Sequence, residues 1–226
     1  MEKQTIEILE YIDDKDTKFI MSTQDNLECD FDILPHDFLK YAEYDLSHDY
    51  EHNIINALSN SKRALDCQVD SLLLAFGFYN KSQEKFWGFP TKLEIVQKIG
   101  LIAPRILNKI NKQRNLLEHQ FIKPTKEQVE DMLDISMLFI ASTDRYVLKF
   151  VPYVEIKNAR LKNKYSIIMD YKNSKIVFKE YNINETPSLG FISDNEEKVQ
   201  PKRSLEWKQG DSDYIEMIKK YLEIIK

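Results

Sequence analysis

The residues of this chain best suited to chemistry lie in one short run, RNLLEH, from Arg114 to His119. An imidazole titrates near neutral pH and can take or give a proton there. A guanidinium presents a rigid fork of donors that matches a phosphate. On a helix, Asn111, Asn115 and His119 share one side at i, i+4 and i+8, while Arg114 stands one turn from Glu118. The same residues have a plainer use. Arg114 and Glu118 make a surface ion pair worth about 0.3–0.5 kcal/mol, and His119 is a helix-end residue favoured by the carboxyl-terminal dipole. A basic stretch leads into the run: Lys98, Arg105, Lys109, Lys112 and Arg114 follow one another with no acid among residues 95–117. That stretch is a phosphate-attracting surface or, more ordinarily, a solvated helix face.

A second constellation is HDYEH, residues 48–52, which matches the H-x-x-E-H spelling of one zinc-protease class. It falls at the joint between two predicted helices, has no evident third ligand and is surrounded by acids, so it is read as a solvated connection and no metal is expected. Cys29 and Cys67 lack CxxC spacing and are read as reduced structural thiols. The net charge of −5 argues against a generally basic nucleic-acid coat, but the charge is uneven. Residues 1–56 hold 4 Lys/Arg against 15 Asp/Glu, whereas residues 145–185 hold 9 against 4. The N-terminus has neither the basic start nor the apolar stretch of a secretory signal, and no run of about 18 apolar residues occurs. A cytoplasmic protein with no membrane partner is the expectation.

The elements that must position these residues follow from periodicity. Ile6, Ile8, Leu9, Tyr11 and Ile12 fit a short helix about as well as a strand, and residues 1–34 are taken as a strand or hairpin of open form. From Pro35, the residues Phe38, Tyr41, Ala42 and Leu46 are spaced as the inward side of a helix. A longer helix follows, with Leu58, Leu65, Val69, Leu72 and Phe76 within about 60° of one another and Ser59, Arg63, Asp66 and Asp70 opposite. The stretch FYNKSQEKFWGFP is a connection whose Phe86, Trp87 and Phe89 cover one end of the core. Thr91 with Glu94 reads as a capping box, and Gly100 closes that helix. The next helix runs from Pro104 to Phe121 before Pro124, and Thr125 with Gln128 opens another carrying Val129, Met132, Leu133, Ser136, Phe139 and Ile140.

Near Arg145 the period switches. Val147, Phe150, Val154 and Ile156 read as β, and KYSIIMDY, KNS, KIVFKEY reads as two strands on a tight turn. Residues 184–210 read as loop, and Asp211 or Ser212 caps a last amphipathic helix with Tyr214, Ile215, Ile218, Leu222 and Ile225. The sequence thus predicts an α+β protein: an N-terminal segment (1–34), an all-α helical bundle (35–143), and a small antiparallel β-sheet with a C-terminal amphipathic helix (144–226).

The helical region resembles the HEPN family, whose signature is an Arg, a polar residue and a His four to six positions past the Arg, here Arg114, Asn115 and His119. The segment LSNSKRALDCQVDSLLLAFG is similar to the long helix that precedes the motif in such domains. The resemblance covers about residues 35–143. It implies a metal-independent endoribonuclease without cofactor, often a toxin or phage-defence effector, acting on RNA as a homodimer with its motif helices face to face. It further implies His119 as general base on a ribose 2′-hydroxyl or acid on the leaving 5′-oxygen, Arg114 on the phosphate and Asn115 as orienting group. Lys109 and Lys112 would be RNA contacts, and Arg63, Asp66 and Asp70 would support the site from the neighbouring helix or simply pair along a wet face. Arg114 and His119 differ by about 140° in direction on one helix, so two copies about a twofold axis would supply converging groups.

One departure stands out. A tyrosine that accepts a nucleotidyl group commonly lies two residues past the His in toxins paired with a nucleotidyltransferase antitoxin; this chain has Phe121, which lacks the hydroxyl. A regulator protein remains an expected partner, and the basic 145–185 tail is expected to set partner or substrate choice. The competing readings are a non-catalytic module binding RNA, a nucleotide or a protein, and a purely structural dimerisation unit.

Overall fold

The computed structural model describes residues 3–22, 26–101, 123–158, 163–182 and 200–226, and among these it shows eight helices and a five-stranded antiparallel sheet, an α+β protein. Two compact units emerge. One comprises Leu27–Ala75 with Tyr79–Val147; the other joins Met1–Asn26, Phe76–Phe78 and Leu148–Lys226. The helical unit therefore starts ahead of residue 35 and ends past 143, and only residues 1–26 of the N-terminal segment group with the C-terminal sheet.

In the helical unit, α2 (Pro35–Ser47) opens with Pro35 in its first turn, and the Asp37 carboxylate accepts the Leu34 N–H at 3.2 Å. Its buried row is Pro35, Leu39, Ala42 and Asp45, while Tyr41 is 48% exposed. This corrects the expected inward side. The spacing points to Tyr41, but Asp45, whose charge would ordinarily keep it in water, is the residue that turns in. Helix α3 (Asn53–Ala75) buries the predicted Leu58, Leu65, Val69 and Leu72 and also a row of small and polar residues, Ala57, Ser61, Ala64, Gln68, Ser71 and Ala75. Small side chains let a neighbouring backbone approach closely. Ser136 Oγ on α6 (Lys126–Thr143) donates to the Ser61 carbonyl at 3.1 Å, and Gln68 Nε2 donates to Thr143 Oγ1 at 2.8 Å.

The connection after α3 holds a short helix, α4 (Tyr79–Glu84), followed by α5 (Phe89–Lys98). Phe89 is buried and Trp87 half-buried, but Phe86, at a φ of 49°, is 92% exposed and covers nothing. Helix α5 begins two residues ahead of Thr91, because Pro90 supplies a preset first-turn φ after Gly88. The Thr125–Gln128 box at the start of α6 is present in both directions, at 3.2 and 2.9 Å. His36 and Asp144 meet at 2.8 Å and tie the start of α2 to the end of α6. Val147 lies in a short helix, α7 (Arg145–Leu148), and not in a strand.

In the sheet unit, α1 (Lys3–Asp13) precedes β1 (Lys18–Met21), so the opening segment is a helix and then a strand. The sheet continues as a meander through β2 (Tyr153–Lys157), β3 (Asn163–Asp170), β4 (Lys175–Asn182) and β5 (Arg203–Lys208), in the spatial order β1-β2-β3-β4-β5. The β3–β4 hairpin pairs Asp170 with Lys175 around the predicted turn, where Ser174 takes a φ of 52°. Strand β5 falls in a stretch read as loop; RSLEWK offers only two apolar residues in alternation, and pairing with β4 supplies the rest. The core face carries Val154, Ile156, Tyr165, Ile167, Met169, Ile176, Phe178 and Trp207, with Ile8 and Ile12 of α1 and Tyr214, Met217, Ile218, Tyr221 and Leu222 of α8 (Tyr214–Ile224) buried alongside. Asp213, rather than Asp211 or Ser212, occupies the α8 cap position. Burial pushes the Tyr214 and Tyr221 phenols up, so both stay protonated and donate, to the carbonyls of Phe76 and Val151.

Candidate functional site

The RNLLEH run, with Arg114, Asn115 and His119, lies outside the described residues, as do Lys109, Lys112 and the whole helix expected over 104–121. Of the residues expected to support that run, Arg63, Asp66 and Asp70 are all on α3. The structure assigns them different surroundings. Asp70 accepts from Lys92 Nζ of α5 at 2.6 Å, both side chains being 20% exposed or less, so this carboxylate ties two helices together. Asp66 is half-buried and Arg63 exposed. Among the described residues Arg63 makes no ion pair, and it lines an open groove between α2 and α3.

That groove encloses about 390 Å³ and is formed by Tyr41, Tyr44 and Asp45 of α2 with Asn56, Ser59, Asn60 and Arg63 of α3. Its floor is a hydrogen-bonded set. The Asp45 carboxylate, 8% exposed, accepts from Asn60 Nδ2 at 2.9 Å and from the Tyr50 hydroxyl, which in turn accepts from Asn56 Nδ2 at 3.3 Å. A buried carboxylate is tolerated when donors replace its water. Tyr41 and Tyr44 form the rim, at 48% and 60% exposure. Neighbours one turn away hold both rings: Tyr44 stacks on His48, just past the end of α2, with centroids 4.0 Å apart, and Tyr41 meets the edge of Phe38 at 6.3 Å. The arrangement can take up an aromatic or cationic group against the rings and hydrogen-bond it through the amides. Nothing in the sequence alone points to it, since the groove exists only once Asp45 has found Asn60 fifteen residues away.

Burial, joined by Cys29, Asp70, Asp66 and Asp37, pushes the Cys67 thiol up to about 12. A thiol so placed stays protonated at neutral pH and is a poor nucleophile. In HDYEH, His48 Nδ1 lies 2.8 Å from the Tyr44 carbonyl, while His52 meets Glu51 only at 4.0 Å. Among the described residues no group of three His, Cys, Asp or Glu could hold a metal ion, and no helix is long and apolar enough to cross a membrane. A smaller pocket in the sheet unit, about 210 Å³, is lined by Thr5, Trp207 and three carboxylates that are already engaged. Glu206 pairs with Lys175 at 2.9 Å, Asp211 accepts from the Lys208 N–H at 2.7 Å and Asp213 from Ser212 Oγ at 3.0 Å.

No family model matches the chain, and no curated protein or solved structure matches it.

Proposed function

We propose that this chain is a HEPN-like, metal-independent endoribonuclease whose catalytic residues are Arg114, Asn115 and His119. The observation that carries the reading is the Arg–Asn–His order in one basic, helix-patterned segment that lies, in sequence, between α5 and α6 of a unit whose described elements are all helical. His119 removes the proton of a ribose 2′-hydroxyl, the 2′-oxygen attacks the adjacent phosphorus, and the 5′-oxygen departs after receiving a proton from a second imidazole. Arg114 offsets the negative charge that grows on the phosphate, and Asn115 orients it. Lys109 and Lys112 steer the RNA. A homodimer meeting along the motif helices supplies the second imidazole and resolves the divergence of Arg114 and His119 on one helix. A toxin or defence role, held in check by a regulator protein, goes with this activity.

Incubation with RNA in EDTA tests the assignment. The wild-type chain yields fragments ending in a 2′,3′-cyclic phosphate, and His119→Ala cuts roughly 10²–10⁴-fold more slowly. Equal cleavage by wild type and variant would sink it. The second reading, a non-catalytic binding module, is favoured by the α2–α3 groove, whose rings and amides are equipped to bind rather than to transfer protons. A wild-type chain that yields no fragments and still retains a protein partner would select it.

A further inference from the structure

We propose that the α2–α3 groove docks a basic segment of another polypeptide, with a lysine or arginine side chain laid on the rings of Tyr41 and Tyr44. This does not rest on the nuclease assignment. The charge around the groove decides the chemistry of its occupant. Residues 35–63, which make α2, the turn and the groove wall of α3, hold Asp37, Glu43, Asp45, Asp49 and Glu51 against Lys40, Lys62 and Arg63. Asp49 and Glu51 are exposed in that turn, the Glu51 side chain to 88%. That acidic balance favours a polycation over a phosphate backbone. A tyrosine face in the same place receives ammonium or guanidinium groups through its π-electrons.

The remaining wall suits a peptide main chain. Asn56 and Asn60 each spend one Nδ2 contact on the floor and keep their carbonyl oxygens for peptide N–H groups, while Arg63 donates to peptide carbonyls. The rings of Tyr41 and Tyr44 are already fixed by Phe38 and His48, so little side-chain freedom is lost on binding. Exposed, pre-positioned tyrosines bordered by polar groups are the usual anchors of a protein interface.

Fluorescence anisotropy on the full chain tests this with a labelled octapeptide of alternating Arg and Ser, alongside a Glu/Ser octapeptide and an eight-nucleotide oligouridine. The Arg/Ser peptide binds, the Glu/Ser peptide does not, and Tyr41→Ala with Tyr44→Ala weakens binding roughly tenfold. Tyr41→Leu with Tyr44→Leu, which keeps the bulk of the side chains, weakens it as well, and unchanged circular dichroism shows that either variant is folded. Glu127→Gln, an exposed acid on α6, leaves affinity unchanged and so controls for bulk charge. Peptide affinity that survives loss of both rings means attraction to general acidity and overturns the proposal. So does oligouridine that displaces the peptide from wild type and depends on the two tyrosines, which would make the groove a nucleic-acid site. Repeating the titration in His119→Ala separates the groove from the nuclease, because no cleavage enters the readout.

Discussion

The two units are held together by different means. Around α3 the helical unit packs small side chains, Ala57, Ala64 and Ala75, and closes the gaps with hydroxyl and amide bonds such as Ser136 to Ser61 and Gln68 to Thr143. Its partners come from one nearly continuous stretch, interrupted only at Phe76–Phe78. The sheet unit relies on large rings, among them Tyr165, Phe178, Trp207, Tyr214 and Tyr221, and is stitched from both ends of the chain. Trp207 Nε1 donates to Thr5 Oγ1 at 3.0 Å, Arg203 meets Glu7 at 3.3 Å and Lys220 meets Asp13 at 3.0 Å, each pair about 200 residues apart. Contacts that distant carry a loop-closure cost that local ones avoid. The helical unit is therefore the part built to form from its own segment, and the sheet unit the part that needs its first residues.

Each unit holds one of the two tryptophans, Trp87 in the helical unit and Trp207 in the sheet unit, so single-tryptophan variants report them separately. The largest effect is expected from deleting residues 1–13. Loss of buried Ile8 and Ile12 alone removes about 3–6 kcal/mol of apolar burial, and in a Trp87→Phe background the Trp207 emission shifts red while the helical signal near 222 nm largely persists. Retention of a blue-shifted Trp207 would break the comparison. Next comes Gly77→Ala. Gly77 takes a φ of +71°, and an added Cβ meets Tyr214 Oη at 2.6 Å and Ser174 Cα at 2.8 Å, so the sheet unit loses about 2–5 kcal/mol. The denaturation midpoint read from Trp207 falls most. Gln68→Ala is the smallest, about 1–2 kcal/mol from a buried amide bond, and acts on the midpoint read from Trp87. Should both tryptophans shift equally in all three variants, the units melt as one and the distinction is lost.

Legibility tracked the kind of interaction that placed each residue. The apolar rows of α3 and α6, the Thr125–Gln128 box, Gly100 at the end of α5 and the β3–β4 hairpin were all readable, because each depends on residues within one or two turns of each other. Tyr41, Phe86 and β5 were not. Tyr41 and Phe86 are aromatic and score as core by type, yet Asp45 takes the inward place on α2 and Phe86 stands out on a left-handed turn. Strand β5 carries too few apolar residues to announce itself and is a strand because β4 pairs with it. In the candidate groove, Arg63 was singled out by sequence as a residue of the polar stripe, but the tyrosine rim and the Asp45 floor were missed.

By itself the sequence determined the α+β class, the periods of the long helices, the uneven charge and the presence of an Arg–Asn–His run, since composition, periodicity and spacing are local properties of a chain. Only tertiary structure decided that the opening helix belongs with the last strands, that Asp45 is buried and that two tyrosines stand over a groove. Those outcomes depend on donors and acceptors meeting across fifteen to two hundred residues, and no local pattern encodes which of the available partners a buried polar group will find.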